Sequence, residues 1–63
     1  MLKEKIKKLR KQHRLSQEEL AKKADITYST LIKIESGANK NPTLVTLKSL
    51  AKALEVKIDN LIE

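Results

Sequence analysis

Residues 15–37 read LSQEELAKKADITYSTLIKIESG, and this stretch decides the fold. Ser16, followed three residues later by Glu19, forms a capping box in which each residue satisfies a backbone N–H of the other. Thr27 provides a second side chain of the kind that caps a helix N-terminus. The stretch therefore predicts two short helices joined by a tight turn at Asp25 and Ile26.

The second of these two helices has two faces of different chemistry. At 100° per residue, Leu31 and Ile34 lie on one side, and Gly37 ends the helix in a left-handed conformation. In the major groove of DNA, hydroxyls can donate to or accept from base edges, a lysine can reach guanine acceptors, and apolar groups can contact a thymine methyl. The side facing away from Leu31 carries Ser29, Ile32, Lys33 and Ser36, and Tyr28 projects from the first turn.

Apolar spacing predicts further helices on both sides of this pair. A first helix has one stripe of Leu2, Ile6, Leu9 and His13, with lysines on its other faces. After Gly37 and Pro42, the main break in the chain, Thr43 caps a fourth helix, and a short fifth helix is predicted within residues 58–62. The predicted stripe of the fourth helix is Leu44, Leu47, Leu50, Ala51 and Leu54.

The sequence thus predicts an all-α protein of five helices with no sheet. A single domain spans residues 1–63, with the helix-turn-helix at helices 2 and 3. A chain of 63 residues without cysteine must be stabilised by aliphatic packing.

The positive charge is concentrated in the first third of the chain, and it does not by itself decide the function. Residues 1–23 carry nine Lys or Arg against three Glu, a net charge of +6, and the rest of the chain sums to zero. A basic surface attracts polyanions, although a lysine-rich solvated face explains the charge equally well. The sequence has no apolar run long enough to cross a membrane, so we expect a cytoplasmic protein. We expect no metal, no cofactor and no catalysis, because there is no cysteine, no glycine-rich phosphate loop and no second histidine beside His13.

The pattern SQEELAKKA, a turn, an apolar residue and then TYSTLIKIESG closely resembles the phage lambda repressor-like (XRE-type, Cro/repressor) helix-turn-helix family. The resemblance continues through NPTLVTL and AKALEVKIDNL and covers almost the whole chain. It implies a compact five-helix domain, encoded by a bacterium, an archaeon or a phage, that binds double-stranded operator DNA. It also implies regulation of transcription, with repression expected, usually by a homodimer.

The resemblance assigns base reading to Tyr28, Ser29 and Lys33, with Ile32 as a fourth candidate. Tyr28 has an alternative place in the core, and Ile32 is equally well explained as a surface aliphatic. Phosphate contacts are implied at the starts of helices 2, 3 and 4 and in the loop after helix 3. These residues are Gln17, Thr27, Ser36, Asn39, Lys40 and Thr43, of which Gln17 has an alternative as an ordinary polar residue.

The resemblance also implies an ion pair between Arg10 and Glu35, for which two solvated charges are the alternative. Three positions depart from the family pattern. Asp25 and Glu55 stand where Gly is usual, and Lys57 replaces the usual Ser or Thr cap of the last helix. If both Gly positions are left-handed, Asp tolerates that conformation better than Glu.

Two other functions compete with an operator-binding regulator. One is an antitoxin-like module that binds a protein partner and also its own operator. The other is a basic amphipathic membrane binder, which is disfavoured because a compact core uses the apolar stripes. The residues at 58–62 are compatible with internal packing, with a dimer interface or with both.

Overall fold

Five helices form in the predicted order in the computed structural model, which describes residues 1–62. No strand occurs among these residues, so the all-α prediction is confirmed; Glu63, the last residue of the predicted domain, lies outside them. None of the described helices is long and apolar enough to span a bilayer. The helices are α1 (Leu2–Gln12), α2 (Gln17–Lys23), α3 (Tyr28–Ser36), α4 (Leu44–Ala53) and α5 (Asp59–Ile62).

Side-chain caps fix the starts of the three central helices. The Ser16 hydroxyl accepts from the Glu19 backbone N–H at 3.0 Å, and the Glu19 carboxylate accepts from the Ser16 N–H at 2.8 Å. The hydrogen bond from the Ser16 backbone lowers the pKa of Glu19, with a smaller effect from the Ser16 hydroxyl. Thr27 caps α3 and Thr43 caps α4, each by accepting from the backbone N–H three residues later. All three predicted caps are confirmed.

One aliphatic core joins all five helices. α1 packs against α3 and α5, while α2 packs against α3 and α4. Leu31 and Ile34 are buried, which fixes which side of α3 faces inward and leaves the opposite side outward. The seven fully buried large side chains are Ile6, Leu20, Leu31, Ile34, Leu50, Leu54 and Leu61.

The predicted stripe of α4 was wrong at Leu44, whose side chain is 59% exposed. At 100° per residue, Leu44 lies about 120° from Leu50, outside the face that Leu50 and Leu54 turn to the core. Leu47, about 60° away from Leu50, is only half-buried. The contact face of α4 therefore narrows toward its N-terminus.

Four residues adopt the left-handed conformation between helices. Gly37 has φ 85° and ends α3, as predicted. Asp25 and Glu55 have φ 57° and 59°, so both positions where the family usually has Gly are left-handed here. Arg14, with φ 56°, was not predicted, because nothing in the sequence marks it. The fifth helix forms after Lys57 without the usual hydroxyl cap residue.

We expect Glu55→Gly to stabilise the protein by about 0.5–1 kcal/mol. A non-glycine residue in the left-handed region costs roughly 1–2 kcal/mol, and the extra chain entropy of Gly offsets part of the gain. The contact of Glu55 with Lys23 is long, at 3.9 Å, and exposed, so its loss costs little. Thermal unfolding followed by circular dichroism measures the change. Glu55→Ala is the control, since it removes the carboxylate without relieving the backbone, and an equal gain from Ala would contradict the explanation.

Candidate nucleic-acid interface

The outward side of α3 carries the predicted base-reading residues. Tyr28 is 50% exposed, which rules out its alternative place in the core. Ser29 and Lys33 are also exposed, whereas Ile32 is partly covered. Within residues 1–62, no carboxylate lies within 4 Å of the Lys33 ammonium, so its charge is available to an external acceptor.

The hydroxyl groups at the ends of α3 are partly used by the fold. Thr27 Oγ1 accepts the capping bond and lies 2.8 Å from Thr30 Oγ1, where either hydroxyl can be the donor. When Thr30 donates, the Thr27 hydrogen is free to bind an oxyanion. Ser36 Oγ donates to the Lys33 carbonyl at 3.2 Å and accepts from the Ala38 N–H at 3.3 Å. A phosphate contact by Ser36 would require its hydroxyl hydrogen to turn away from that carbonyl.

The loop after α3 presents donors of two kinds. Asn39 Oδ1 accepts from the Asn41 N–H at 3.0 Å, which leaves the Asn39 amide hydrogens for an external acceptor. Lys40 is exposed, and no carboxylate of residues 1–62 lies within 4 Å of its ammonium. Thr43 Oγ1 donates to Thr46 Oγ1 at 3.0 Å, so its hydroxyl hydrogen serves the cap of α4. In this loop Asn39 and Lys40 are therefore the better phosphate donors.

Arg10 and Glu35 are in direct contact between α1 and α3. Arg10 Nε donates to Glu35 Oε2 at 2.8 Å, and Arg10 Nη2 donates to Glu35 Oε1 at 3.0 Å. Arg10 Nη1 also donates to the Leu15 carbonyl, at 3.0 Å, in the turn before α2. The side chains are only 12% and 3% exposed, so this is a bidentate, nearly buried pair.

Gln17 completes this cluster from α2. Its Nε2 donates to Glu35 Oε1 at 2.9 Å, so the Glu35 carboxylate accepts from both α1 and α2. The last turn of α1 and the first turn of α2 are thereby held against α3. One amide hydrogen and the carbonyl oxygen of Gln17 are left, and its side chain is half-buried. Gln17 thus has a structural role that the sequence did not indicate, and it retains one donor for a phosphate.

Nine of the twelve predicted site residues fall into three groups in the structure. Tyr28, Ser29 and Lys33 share the outward side of α3. Ser36, Asn39 and Lys40 line one groove at the end of α3. Arg10, Gln17 and Glu35 form the hydrogen-bonded cluster on the side of α3 that faces α1 and α2.

Comparison with known proteins identifies the family to which the chain belongs. The model of the helix-turn-helix family, to which the XRE-type proteins belong, matches residues 6–61. The chain belongs to the XRE-type helix-turn-helix family. An uncharacterised HTH-type transcriptional regulator of Methanocaldococcus jannaschii is 40% identical over 60 residues, which is 95% of this chain and 89% of that protein.

A solved structure of another protein has nearly the same backbone. SinR, the master regulator for biofilm formation, crystallised in complex with DNA, superposes with a TM-score of 0.96 at 33% identity. The superposition covers 100% of this chain and 100% of the SinR chain. The predicted five-helix XRE-type fold is therefore confirmed over the described residues.

Proposed function

We propose that this chain is a sequence-specific regulator of transcription that binds double-stranded operator DNA with the outward side of α3. The observation that carries the proposal is the division of α3. Leu31 and Ile34 are buried on one side, and Tyr28, Ser29 and Lys33 are exposed on the other. The names of the relatives agree, since one is a transcriptional regulator and the other was crystallised with DNA. The proposal is a binding function without catalysis, in the cytoplasm, where operator DNA lies.

Phosphate contacts position the duplex, and base contacts specify its sequence. We assign phosphate contacts first to Gln17, Asn39 and Lys40, because each has a donor that the fold leaves unused. Thr27 follows, since its hydroxyl hydrogen is free when Thr30 donates. Ser36 and Thr43 are weaker assignments, because both hydroxyls already donate within the protein. Ile32, partly covered, is the weakest of the base-reading residues.

We propose that the chain binds DNA as a homodimer, and its dimensions support this proposal. Half-sites of an operator read from one side lie about 34–36 Å apart. The protein measures 22 × 22 × 19 Å, so one copy cannot reach two successive major grooves. Two copies related by a twofold axis would read a palindrome, and bound to a promoter they would exclude polymerase, which is repression. Analytical ultracentrifugation with a selected duplex should give two chains per duplex.

The proposal is tested by selecting the tightest binders from a library of randomised duplexes. We expect a palindromic consensus, and binding to it should be tighter than binding to a scrambled duplex of the same composition. If each chain neutralises about four phosphates, log affinity should fall with log salt at a slope near −3.6 per chain. A slope near zero, or a selection that yields no consensus, would show that the proposed function is wrong.

Substitutions of Lys33 and Lys40 should weaken DNA binding in different ways. Lys33→Met should relax the base preference at one or two positions of the consensus, at about 1–3 kcal/mol of lost discrimination. Lys40→Met removes the same charge from the loop, and it should weaken binding to every duplex by a similar factor and lower the salt slope by about one. Competition binding against single-base variants of the consensus measures both. Equal losses on every variant for Lys33→Met would contradict its assignment to base reading.

A further inference from the structure

A groove of about 450 Å³ separates the end of α3 from the first turn of α1. One wall contains Ser36, Asn39 and Lys40, which belong to the set assigned to phosphates. The opposite wall is formed by residues 1–4, which the family resemblance did not assign to DNA. The residues proposed to bind phosphate therefore share this groove with the first turn of α1.

Lys3 is the cation that α1 places in this groove. Its aliphatic stem lies on Gly37, because a β-carbon built there would be 3.2 Å from Lys3 Cδ and 3.5 Å from Lys3 Nζ. The glycine thus allows both the left-handed end of α3 and the close approach of Lys3. The neighbouring Glu4 pairs with the N-terminal amine at 3.7 Å, and within residues 1–62 no carboxylate lies within 4 Å of the Lys3 ammonium.

We propose that the DNA interface extends across Gly37 to α1, and that Lys3 contacts a backbone phosphate beside the one bound by Asn39 and Lys40. This inference rests on the proposed function and adds a contact to it. Lys3 and Lys40 both line this groove, and among its lining residues within 1–62 the one carboxylate is that of the exposed Glu4. A polyanion with regularly spaced charges satisfies both ammonium groups at once. The duplex is the occupant because the groove adjoins the outward side of α3.

A purely structural role for Lys3 is the alternative. A cation near the C-terminus of a helix interacts favourably with the helix dipole, and Lys3 lies at the C-terminus of α3. In that case its removal would lower the stability of the protein and leave the salt dependence of DNA binding unchanged. The two roles are therefore distinguished by measuring folding and binding separately.

The first experiment leaves the protein unaltered. Lysines are acetylated with acetic anhydride in the presence and absence of the selected duplex, and the modified residues are quantified by mass spectrometry. We expect the duplex to slow acetylation of Lys3 and Lys40 alike and to leave Lys52, exposed on α4, at its free rate. Inorganic phosphate and polyglutamate are the comparison anions. Equal protection of Lys3 by either of them would overturn the assignment to DNA.

The second experiment compares Lys3→Gln with Lys52→Gln, which removes the same charge from an exposed site on α4. Lys3→Gln should lower the salt slope by about 0.9 and weaken binding about eightfold at 0.1 M salt. Lys52→Gln should stay within about twofold of the wild type, and Lys3→Arg should restore binding. Thermal unfolding of each variant measures the fraction of folded protein, and we expect this fraction to be unchanged at the temperature of the binding measurement.

The experiments distinguish failure of the extension onto α1 from failure of the proposed function. If Lys40 is protected and Lys3 is not, or if Lys3→Gln and Lys52→Gln lose the same affinity, the extension onto α1 is wrong and the proposed function stands. If the wild-type protein binds no duplex with a salt-dependent affinity, both proposals fail together.

Discussion

Arg10→Met is expected to cost the protein about 3–5 kcal/mol of stability, because it leaves the buried Glu35 carboxylate without its cation. Glu35 is 3% exposed and would keep a single side-chain donor, the Gln17 amide at 2.9 Å. A domain of this length has a free energy of unfolding of roughly 3–9 kcal/mol. The substitution should therefore unfold a large share of the molecules at 37 °C. Urea unfolding monitored by circular dichroism measures the loss.

Two comparisons identify the cause of that loss. Lys11→Met removes a cation from an exposed position on the same helix, and it should change stability by no more than about 0.5 kcal/mol. The double variant Arg10→Met, Glu35→Leu replaces the pair with apolar groups, and it should recover most of the stability that Arg10→Met loses. If the double variant is as unstable as the sum of the two single variants, the penalty does not come from an unpaired buried charge.

The hydrogen-bonded cluster of Arg10, Gln17 and Glu35 also matters for the proposed function, because it fixes where the helices lie relative to each other. Arg10 in the last turn of α1 and Gln17 in the first turn of α2 both bind the Glu35 carboxylate, so Gln17, the proposed phosphate donor of α2, is fixed relative to α3. A duplex contacted by both helices requires that fixed distance. We therefore expect the double variant to fold and yet bind the selected duplex more weakly than the wild type, since Gln17 loses its anchor.

Most of the fold could be predicted because local signals and periodicity agreed. Ser16, Thr27 and Thr43 are caps whose chemistry acts within three residues, and the structure contains all three. The apolar spacing of α3 identified its buried side by the same local reasoning. Leu44 was placed wrongly because a run of leucines was interpreted as one stripe, although its angle on the helix takes it off the core.

Some features of the structure could not be predicted from the sequence, chiefly those that depend on how separate helices pack against each other. The bond from Gln17 to Glu35 joins residues 18 positions apart, and neither has a pattern that names its partner. The position of Lys3 over Gly37 depends on how α1 crosses the end of α3. Tertiary geometry decides both. The left-handed Arg14 is a local feature at the end of α1, where the Arg14 N–H donates to the Lys11 carbonyl and the Leu15 N–H donates to the Arg10 carbonyl, and the residue type of Arg14 gives no sign of it.

Leu31→Ala should also weaken DNA binding strongly, although the Leu31 side chain lies in the core. Leu31 is fully buried beneath the outward side of α3, and truncating a buried leucine costs about 2–5 kcal/mol. Since α3 carries the exposed Tyr28 and Lys33, loss of the buried Leu31 side chain should remove the proposed base-reading surface together with the fold. Binding to the selected duplex should fall in proportion to the fraction unfolded.

Two further measurements distinguish a loss of DNA affinity caused by unfolding from one caused by the loss of a direct DNA contact. Leu31→Met keeps the volume of the side chain and should cost less than about 1.5 kcal/mol, with DNA affinity close to that of the wild type. Trimethylamine oxide favours the folded state, so it should restore the affinity of Leu31→Ala but not that of Lys33→Met. An affinity of Leu31→Ala that stays low when circular dichroism reports a refolded protein would mean that α3 does not act as a rigid unit on its buried side.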